Sequence, residues 1–399
     1  MARGRFSDIQ PAQWKTLFAA QLGWMLDAMD VMLYAFALTA IQKEFGLSSR
    51  VAGALASATL FSSAFGGALF GIFADRFGRA RALVYSILTY SVFTALTATS
   101  QNVSQLVLWR MLVGIGLGGE WSAGSVIVSE TWPARHRGKA IGFMQSGWAI
   151  GYIFAAVLSA LVLPKYGWRP LFMLGLAPAL LAAWIRRAVP EPPNWKPTRG
   201  FSLAALPVRN TLVAALLSTL ILFAYWGLFT WIPAFLSSPI EKGGAGLGIF
   251  RSSAWIVPMQ IGAFFGYTLF GFFADRFGRR PAFLVFVFAA AVLVPVYGSL
   301  GARPGLLLAL GPLVGFFGHG YFSVFGALLS ELFPASIRAT AQGLCYNVGR
   351  AAGALAPFTV GAVAETHGIG AALGVTSAFF AAGGAVMMLL PETKGAELT

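Results

Sequence analysis

Long apolar runs separated by short polar loops dominate the chain. Twelve of these runs are about 20 residues long or longer, which is enough for an α-helix to cross the hydrocarbon core of a bilayer. The pattern therefore predicts an all-α integral membrane protein with twelve transmembrane helices in two six-helix bundles. The runs lie at approximately 17–40, 51–74, 82–101, 105–128, 139–163, 167–187, 209–236, 251–274, 282–300, 305–329, 338–363 and 369–390.

The two halves of the chain repeat each other. Residues 71–79 (GIFADRFGR) and 271–279 (GFFADRFGR) differ at one position and are offset by 200 residues. SETWPA, which begins at Ser129, recurs as SELFPA at Ser330, an offset of 201 residues. Two matched landmarks at nearly equal spacing indicate an internal duplication.

The proline-rich segment 189–197 (VPEPPNWKP) separates six runs from six. We therefore predict an N-terminal bundle at 1–187, a cytoplasmic linker at 188–208 and a C-terminal bundle at 209–399. An even number of spans in each half gives both halves the same orientation in the membrane. A binding site is then expected between the halves, near the middle of the bilayer.

Composition places the chain in a lipid bilayer. It is 57% hydrophobic and 11% charged, with a mean hydropathy of +0.73; soluble domains are about 25% charged. The net charge of +14 does not indicate a nucleic-acid partner, because the basic residues lie in short loops between apolar spans. With both termini in the cytoplasm, cytoplasmic segments hold 19 Lys and Arg residues and outer loops hold 7. This bias predicts a multi-pass plasma (cytoplasmic) membrane protein of that orientation.

Taken together, these segments resemble the major facilitator superfamily over nearly the whole chain. Residues 71–79 resemble its signature loop between helices 2 and 3, and residues 271–279 resemble the counterpart between helices 8 and 9. Residues 110–120 (RMLVGIGLGGE) resemble its fourth-helix motif, and residues 391–395 (PETKG) resemble the ending shared by sugar porters and several carboxylate porters. The resemblance implies a secondary active transporter that works by alternating access.

Two further segments, 225–233 (YWGLFTWIP) and 343–350 (GLCYNVGR), resemble the sialate:proton symporter group, which includes lactate and related monocarboxylate porters. The Gln-Leu-Ser element of sugar porters is absent from helix 7. Tyr152, rather than Pro, follows Gly147-x-x-x-Gly151, unlike the helix-5 ending of drug antiporters. The resemblance thus implies proton-coupled symport of a small organic anion, a monocarboxylate. A sugar, an aromatic acid or a drug is the alternative substrate.

Four ionisable residues inside the first half are candidates for proton coupling. An ionised group at mid-membrane is unfavourable by about 2.5–3.5 kcal/mol on insertion scales, so such residues usually have a function. Asp27 and Asp30 lie near the middle of the first span on one helix face. Arg110 and Glu120 share the fourth span but lie roughly 15 Å apart, so each needs a partner elsewhere, for which Asp27 or Asp30 is suitable. The alternative is a set of structural groups bonded to neighbouring helices.

Arg350 is the candidate for binding the substrate anion. It is central in the eleventh span, and its planar guanidinium matches a carboxylate. Asn347 and Tyr346 share its helix face. The alternative is a structural pair with an acid across the interface. Further candidates for lining the cavity, whose alternative role is packing, are Tyr34, Tyr225, Trp226, Trp231, His319 and Tyr321.

The repeated loops predict a cytoplasmic gate. Asp75 and Asp275 end their spans, where an acid is poorly placed for the helix macrodipole and must gain stability from neighbouring arginines. The resemblance implies that these groups lock the cytoplasmic side; topology marking by positive loops is the alternative. The predicted gate residues are Asp75, Arg76, Arg79, Glu130, Asp275, Arg276, Arg279 and Glu331.

Other classes of function have little support in the sequence. The three histidines (His136, His319 and His367) are scattered, and no nucleotide loop or Ser-His-Asp spacing occurs, so we expect no enzyme, metal or cofactor. The single cysteine, Cys345, excludes an intramolecular disulfide. We expect a monomer whose partners are protons, a small organic anion and the lipid bilayer. A non-transporting receptor and an intramembrane enzyme remain rival hypotheses.

Overall fold

The computed structural model describes residues 9–132, 134–189, 191, 207–333 and 338–393. In these ranges the chain forms sixteen α-helices, with short 3₁₀ segments at Leu174–Leu176 and Ile240–Lys242. The helices are α1 (Pro11–Phe45), α2 (Ser49–Phe77), α3 (Arg79–Thr97), α4 (Val103–Thr131), α5 (Ala134–Tyr166), α6 (Trp168–Met173), α7 (Pro178–Ala188), α8 (Val208–Ser237), α9 (Gly248–Phe277), α10 (Arg279–Ser299), α11 (Pro304–His319), α12 (Phe322–Leu332), α13 (Arg338–Gly353), α14 (Ala356–His367), α15 (Ile369–Leu373) and α16 (Val375–Met387).

These helices form the twelve membrane spans that the hydropathy pattern predicts. Among the described residues, ten helical segments are long and apolar enough to cross a membrane. The other two spans are α4, which is about 43 Å long at 1.5 Å per residue, and the consecutive pair α13 and α14. Spans six, ten, eleven and twelve are each built from two shorter helices. The prediction of an all-α twelve-span membrane protein is confirmed.

Proline explains why the eleventh span is divided. Pro357 lies in the first turn of α14. It has no backbone N–H, so it cannot bond the carbonyl of Gly353, and its ring disfavours a continuous helix at that carbonyl. The span is therefore interrupted three residues after Arg350.

The internal duplication is visible in the packing of α2 on α4 and of α9 on α11. Gly66 lies against the Ile115 carbonyl, and Gly266 lies in the same way against the Phe316 carbonyl. A side chain at either glycine would overlap that backbone, so glycine permits the close approach of the helices. A second such pair joins Gly114 to the Thr59 carbonyl and Gly315 to the Met259 carbonyl.

A carboxylate after the sixth span caps the start of α3. Gly78 turns the chain with a φ of 119°, a value that favours glycine. Glu191 then accepts hydrogen bonds from the backbone N–H groups of Ala80 and Arg81, at 3.1 and 3.2 Å. These N–H groups have no acceptor within the helix, and the helix macrodipole favours a negative charge at this end.

The second half repeats this cap after its own sixth span. Glu392 accepts hydrogen bonds from the backbone N–H groups of Arg279 and Arg280, at 2.8 and 3.0 Å, and Gly278 has a φ of 106°. Each half thus ties its last span to the start of its third span. The predicted division at 1–187, 188–208 and 209–399 stays a prediction.

Helices of the first half meet helices of the second half along an extended interface. The cross-half pairs include α5 with α9 and α12, α2 with α13 and α14, and α1 with α8. We use "terminal face" for the side on which α1 begins and α16 ends, and "opposite face" for the side that carries the α1–α2 turn. A cavity lies between the halves, midway between these two faces.

We expect Gly66→Ala and Gly266→Ala each to destabilise the protein, because the added methyl group would overlap a backbone carbonyl of the neighbouring helix. Overpacking of this kind costs about 1–3 kcal/mol. An added Cβ at Gly71 or Gly271 meets no atom within 4 Å, so Gly71→Ala and Gly271→Ala are matched controls. Thermal unfolding of the purified protein in detergent measures the difference. Equal melting temperatures for the two pairs of variants would contradict the packing role.

Candidate functional site

The cavity between the halves, together with the open space that adjoins it, contains about 570 Å³ that no protein atom occupies. Asp27, on its wall, lies 16 residues after the start of α1 and 18 before its end, or roughly 24 and 27 Å from them. The cavity is therefore at mid-membrane, between the two halves, as the repeat predicts.

Aromatic rings form much of the cavity wall. Trp148 lies at the centre of a cluster, 4.8 Å from the Trp24 ring and 5.7 Å from the Trp226 ring, measured between centroids. Such tilted and edge-to-face contacts are the favoured geometries for aromatic pairs. The cavity therefore offers flat apolar surfaces to a ligand. The aromatic lining residues are Trp24, Trp148, Tyr225, Trp226, Tyr267, Phe322 and Tyr346.

Two charged side chains line the cavity, and they come from opposite halves. Asp27 is on α1 and Arg350 is on α13; they are 3% and 5% exposed. They lie within electrostatic reach of each other. The Arg350 guanidinium also lies over the Tyr346 ring, at 5.1 Å from its centroid. An anion in the cavity would meet one guanidinium, with one carboxyl group facing it.

Arg110 has a different acid as its partner. Its Nη1 atom lies 3.8 Å from Asp30 Oδ2, and both side chains are almost completely buried. The guanidinium also lies over the Tyr34 and Phe172 rings, at 5.1 and 5.8 Å from their centroids. This pair lies inside the first half and does not line the cavity. It has the geometry of a structural ion pair.

Glu120 completes an acidic cluster in the first half. Its side chain lies against the bare backbone of Gly23, where any Cβ would overlap it. It is buried and interacts electrostatically with Asp27, Asp30 and Tyr90. Three acids therefore share a buried region with one arginine of their own half, Arg110.

Three more predicted residues lie close to Arg350. Tyr225, Trp226 and Tyr346 line the cavity. Asn347 instead directs its amide at α2, where a Cβ on Gly67 would lie 2.7 Å from Asn347 Oδ1. The structure thus brings four of the predicted substrate residues together at the cavity and places Asn347 at the interface beside it.

The other predicted cavity residues lie in the surrounding packing. Tyr34 donates a hydrogen bond to the Ala52 carbonyl at 3.0 Å, and the Trp231 indole donates one to the Pro357 carbonyl at 2.9 Å. His319 Nδ1 lies 3.0 Å from the Gly315 carbonyl. Tyr321 packs on Phe283 and Phe380. None of the four is among the residues that line the cavity, so their role in binding stays a prediction.

The predicted cytoplasmic gate lies partly outside the described residues. The side chains of Asp75, Glu130, Asp275 and Glu331 belong to the part that is not described. Arg76 and Arg276 are exposed at the ends of α2 and α9, and the Arg276 guanidinium lies 5.4 Å from the Phe277 ring centroid. Arg79 and Arg279 begin α3 and α10. The gate stays a prediction.

At the opposite face, Glu365 joins the two halves. It accepts a hydrogen bond from the Arg50 backbone N–H at 2.8 Å, and its Oε2 lies 3.7 Å from Arg50 Nη2. The hydrogen bonds from the Arg50 backbone and from Ser48 hold the pKa of Glu365 below its usual range. A depressed pKa means that this contact is complete at neutral and mildly acidic pH and is lost only as the pH falls through that lowered value. A second hydrogen bond joins the two halves: the Phe358 N–H donates to Ser57 Oγ at 3.2 Å.

Several cavity residues were not predicted from the sequence. Thr59 and Ser63 on α2, Gln145 on α5 and Tyr267 on α9 line the wall together with the aromatic rings. Polar residues within long apolar runs were the available signal for Thr59, Ser63 and Gln145. The aromatic members had no such signal, because aromatic residues occur all along these spans.

Comparison with known proteins covers nearly the whole chain. The family model of the Major Facilitator Superfamily matches residues 22–257 and 251–398. The cis,cis-muconate transport protein of Acinetobacter baylyi is 33% identical, over 96% of this chain and 95% of its own length. The niacin transporter NiaP of the same organism is 30% identical, over 88% and 87%. A partially occluded inward-open structure of the E. coli xylose transporter XylE superposes with a TM-score of 0.80 at 21% identity, over 98% of this chain and all of that one.

We expect Asp30→Asn to lower the thermal stability strongly, because it leaves the Arg110 guanidinium buried without a charged partner. Breaking a buried pair from one side costs about 3–5 kcal/mol. Glu44→Gln is the matched control, since the Glu44–Arg169 ion pair is 40% exposed on each side chain. The double variant Asp30→Asn/Arg110→Met should recover part of the loss, which thermal unfolding in detergent measures. A parental melting temperature for Asp30→Asn would exclude a structural role for this pair.

Proposed function

Because the chain belongs to the Major Facilitator Superfamily of transporters, we propose that it is a proton-coupled symporter of a small organic anion. The substrate class that fits the cavity is a planar, unsaturated monocarboxylate. The observation that carries the proposal is that Asp27 and Arg350, from opposite halves, both line a cavity whose wall is rich in aromatic rings.

The charge in the cavity favours a carboxylate over a sugar. Among the described lining residues Arg350 is the one cation, and its planar guanidinium can hold a carboxylate through two parallel hydrogen bonds. A sugar requires many hydrogen-bonding partners, whereas the uncharged polar side chains of the lining are Thr59, Ser63 and Gln145, besides the tyrosines. One guanidinium suits one carboxylate group.

The aromatic walls favour a flat substrate. Rings such as Trp148 and Tyr225 can stack on a conjugated system, and they make few demands on its hydrogen bonding. Two relatives are named for muconate and niacin, which are unsaturated carboxylic acids. This substrate class includes the aromatic acids, which the sequence left as an alternative.

Competition for Arg350 explains the coupling to protons. In the empty cavity the Asp27 carboxylate balances the Arg350 charge. When a substrate carboxylate binds Arg350, Asp27 loses its compensation in a region of low dielectric and takes up a proton. One substrate anion and one proton then cross the membrane together. Release of the proton on the other side returns the Asp27 charge to Arg350 and expels the substrate.

The remaining charged residues take supporting roles. Asp30 holds Arg110 within the first half, and Glu120, which interacts with Asp27, is the second candidate for carrying the proton. The excess of basic residues in alternate loops supports a cytoplasmic location of the terminal face. Access on that face would be governed by the two repeated loops at 71–79 and 271–279.

Uptake into proteoliposomes with an imposed pH gradient tests the proposal. We expect accumulation of radiolabelled nicotinate, slower uptake of the dianion cis,cis-muconate and of non-planar lactate, and no uptake of D-xylose. Collapse of the pH gradient should abolish accumulation. Uptake of D-xylose with no uptake of any carboxylate would refute the anion proposal.

We expect Asp27→Asn to abolish uphill uptake driven by the pH gradient, since the amide cannot carry the proton. Exchange of internal for external substrate should survive, because that cycle need not release a proton. Glu120→Gln is the comparison variant. If Asp27→Asn accumulates substrate at the parental level and Glu120→Gln does not accumulate it, Glu120 is the residue that carries the proton.

We expect Arg350→Ala to lose substrate binding by roughly 30-fold to several thousand-fold, the range for truncating one member of a desolvated charge pair. Arg350→Lys keeps the charge but not the planar fork, and should weaken binding less. Calorimetry in detergent measures both, with size exclusion as the check on folding. The control is Arg251→Ala, at an exposed arginine near the start of α9. Unchanged affinity in well-folded Arg350→Ala would make Arg350 a structural residue.

A further inference from the structure

We propose that Trp121 and Tyr346 form the gate between the cavity and the terminal face, so that substrate passes on that side only after the two rings part. This inference rests on two parts of the proposed function: that the substrate passes through the cavity, and that the terminal face lies in the cytoplasm. It does not depend on which substrate is carried or on which acid carries the proton.

The two rings form a stacked contact across the halves. Trp121 is on α4 in the first half and Tyr346 is on α13 in the second half. Their centroids are 4.2 Å apart with an interplanar angle of 16°, and the residues are 8% and 6% exposed. Contact between α4 and α13 does not hold either bundle together internally. It joins the bundles, so it must break when they separate at this level.

The stack lies between the cavity and the terminal face. Tyr346 lines the cavity and lies one helical turn closer to that face than Arg350, since α13 runs inward from it. Tyr346 is eight residues from the start of α13, roughly 12 Å, and Trp121 is ten residues from the end of α4, roughly 15 Å. Trp121 itself is not among the lining residues. Tyr346 therefore forms the floor of the cavity, and Trp121 supports it from outside.

A second contact closes the neighbouring position at the same level. The amide of Asn347 lies on the bare backbone of Gly67, which is ten residues, or roughly 15 Å, from the end of α2. One turn of α13 thus touches α4 through Tyr346 and α2 through Asn347. This explains why Asn347, which shares a face with Arg350 in the sequence pattern, does not reach the cavity.

The gate is connected to the anion site through one ring. The Arg350 guanidinium lies over the Tyr346 ring. The same ring is stacked on Trp121. A carboxylate that hydrogen-bonds directly to Arg350 would draw the guanidinium away from this ring, and so weaken the cation–π contact that helps to hold it. Occupation of the anion site would therefore loosen the gate. The empty transporter, with Arg350 free to hold Tyr346, would keep it closed.

The gate would open by movement of α13 together with α8. Gly349 packs on Ser218 and Gly353 packs on Leu222, each so closely that a side chain would overlap the neighbouring helix. This spacing of small residues joins the two helices firmly. The stack with Trp121 has no such backbone contact, so the interface between α13 and α4 is the weaker one.

A cysteine reporter in the cavity tests the gate. Cys345→Ser removes the single native thiol, and Leu60→Cys places a new one on the cavity wall. Membrane vesicles of both orientations are treated with a membrane-impermeant maleimide, in the absence of any substrate. In this background we expect Trp121→Ala to raise the labelling rate from the terminal side about threefold to tenfold, the range given by loss of one aromatic pair. Labelling from the opposite side should not change.

Two further variants separate the stack from other effects. Trp121→Phe keeps a ring and should label at nearly the parental rate. Trp121→Leu removes the ring but keeps much of its apolar bulk, and should behave like Trp121→Ala if the latter fails to fold. Phe223→Ala is the matched control: Phe223 and Phe379 stack at 3.8 Å and 15°, but both belong to the second half. It should leave labelling from the terminal side unchanged.

The outcomes are distinct from those of the transport assays. Parental labelling from the terminal side in monodisperse Trp121→Ala and Trp121→Leu would overturn the gate. Equal increases from both sides, or an equal increase in Phe223→Ala, would indicate general loosening and would also overturn it. Because no substrate is present, loss of transport in the Asp27 or Arg350 variants leaves this result unaffected.

Discussion

An ionised side chain at mid-membrane is stable only beside an opposite charge or water, and this constraint organises the site. Asp27 lies within electrostatic reach of Arg350 across the two halves, whereas Asp30 forms an ion pair with Arg110 inside the first half. We propose that this difference separates the functional pair from the structural one. A pair within one bundle can stay together through every conformation, but a pair between bundles is exposed to any ligand or movement that enters the interface. The cavity lies at Asp27 and Arg350, the two charges that can be separated because they belong to different bundles.

The surrounding framework makes the interface the place where movement occurs. Within each half, glycines bring helix backbones into contact, as Gly66 does with Ile115 and Gly266 with Phe316. The Glu191 and Glu392 caps fasten the last span of each half to its third span. Between the halves, backbones also approach closely, as at Gly53 and Pro357, but the Glu365–Arg50 contact and the Trp121–Tyr346 stack are formed by side chains, and the cavity interrupts the packing. Contacts of side chains can be exchanged at much lower cost than close-packed backbones.

Span number, duplication and the identity of the buried charges could be predicted from the sequence, because length, repetition and ionisable chemistry are local properties. The sequence could not predict which acid lies near which arginine. Asp27 and Asp30 share a helix face, yet one faces Arg350 and the other Arg110. Helices that are apolar on every side have no marked face that fixes their rotation, so the orientation of Asn347 toward α2 and the presence of Trp148 in the wall depend on packing alone. Aromatic residues were the hardest to assign, since the same rings fill cores and line cavities.

The pairing of Asp27 with Arg350 has a consequence for the energy source of the transport cycle. Under the proposed mechanism their charges cancel in the empty carrier, and in the loaded carrier the substrate anion cancels the charge of Arg350 while the proton neutralises Asp27. On that mechanism no net charge crosses the bilayer in either direction. A membrane voltage does work of about 2.3 kcal/mol per elementary charge at 100 mV, but only on charge that moves. Such a carrier would be electrically silent, and its accumulation ratio would follow the pH difference alone, about tenfold for each unit.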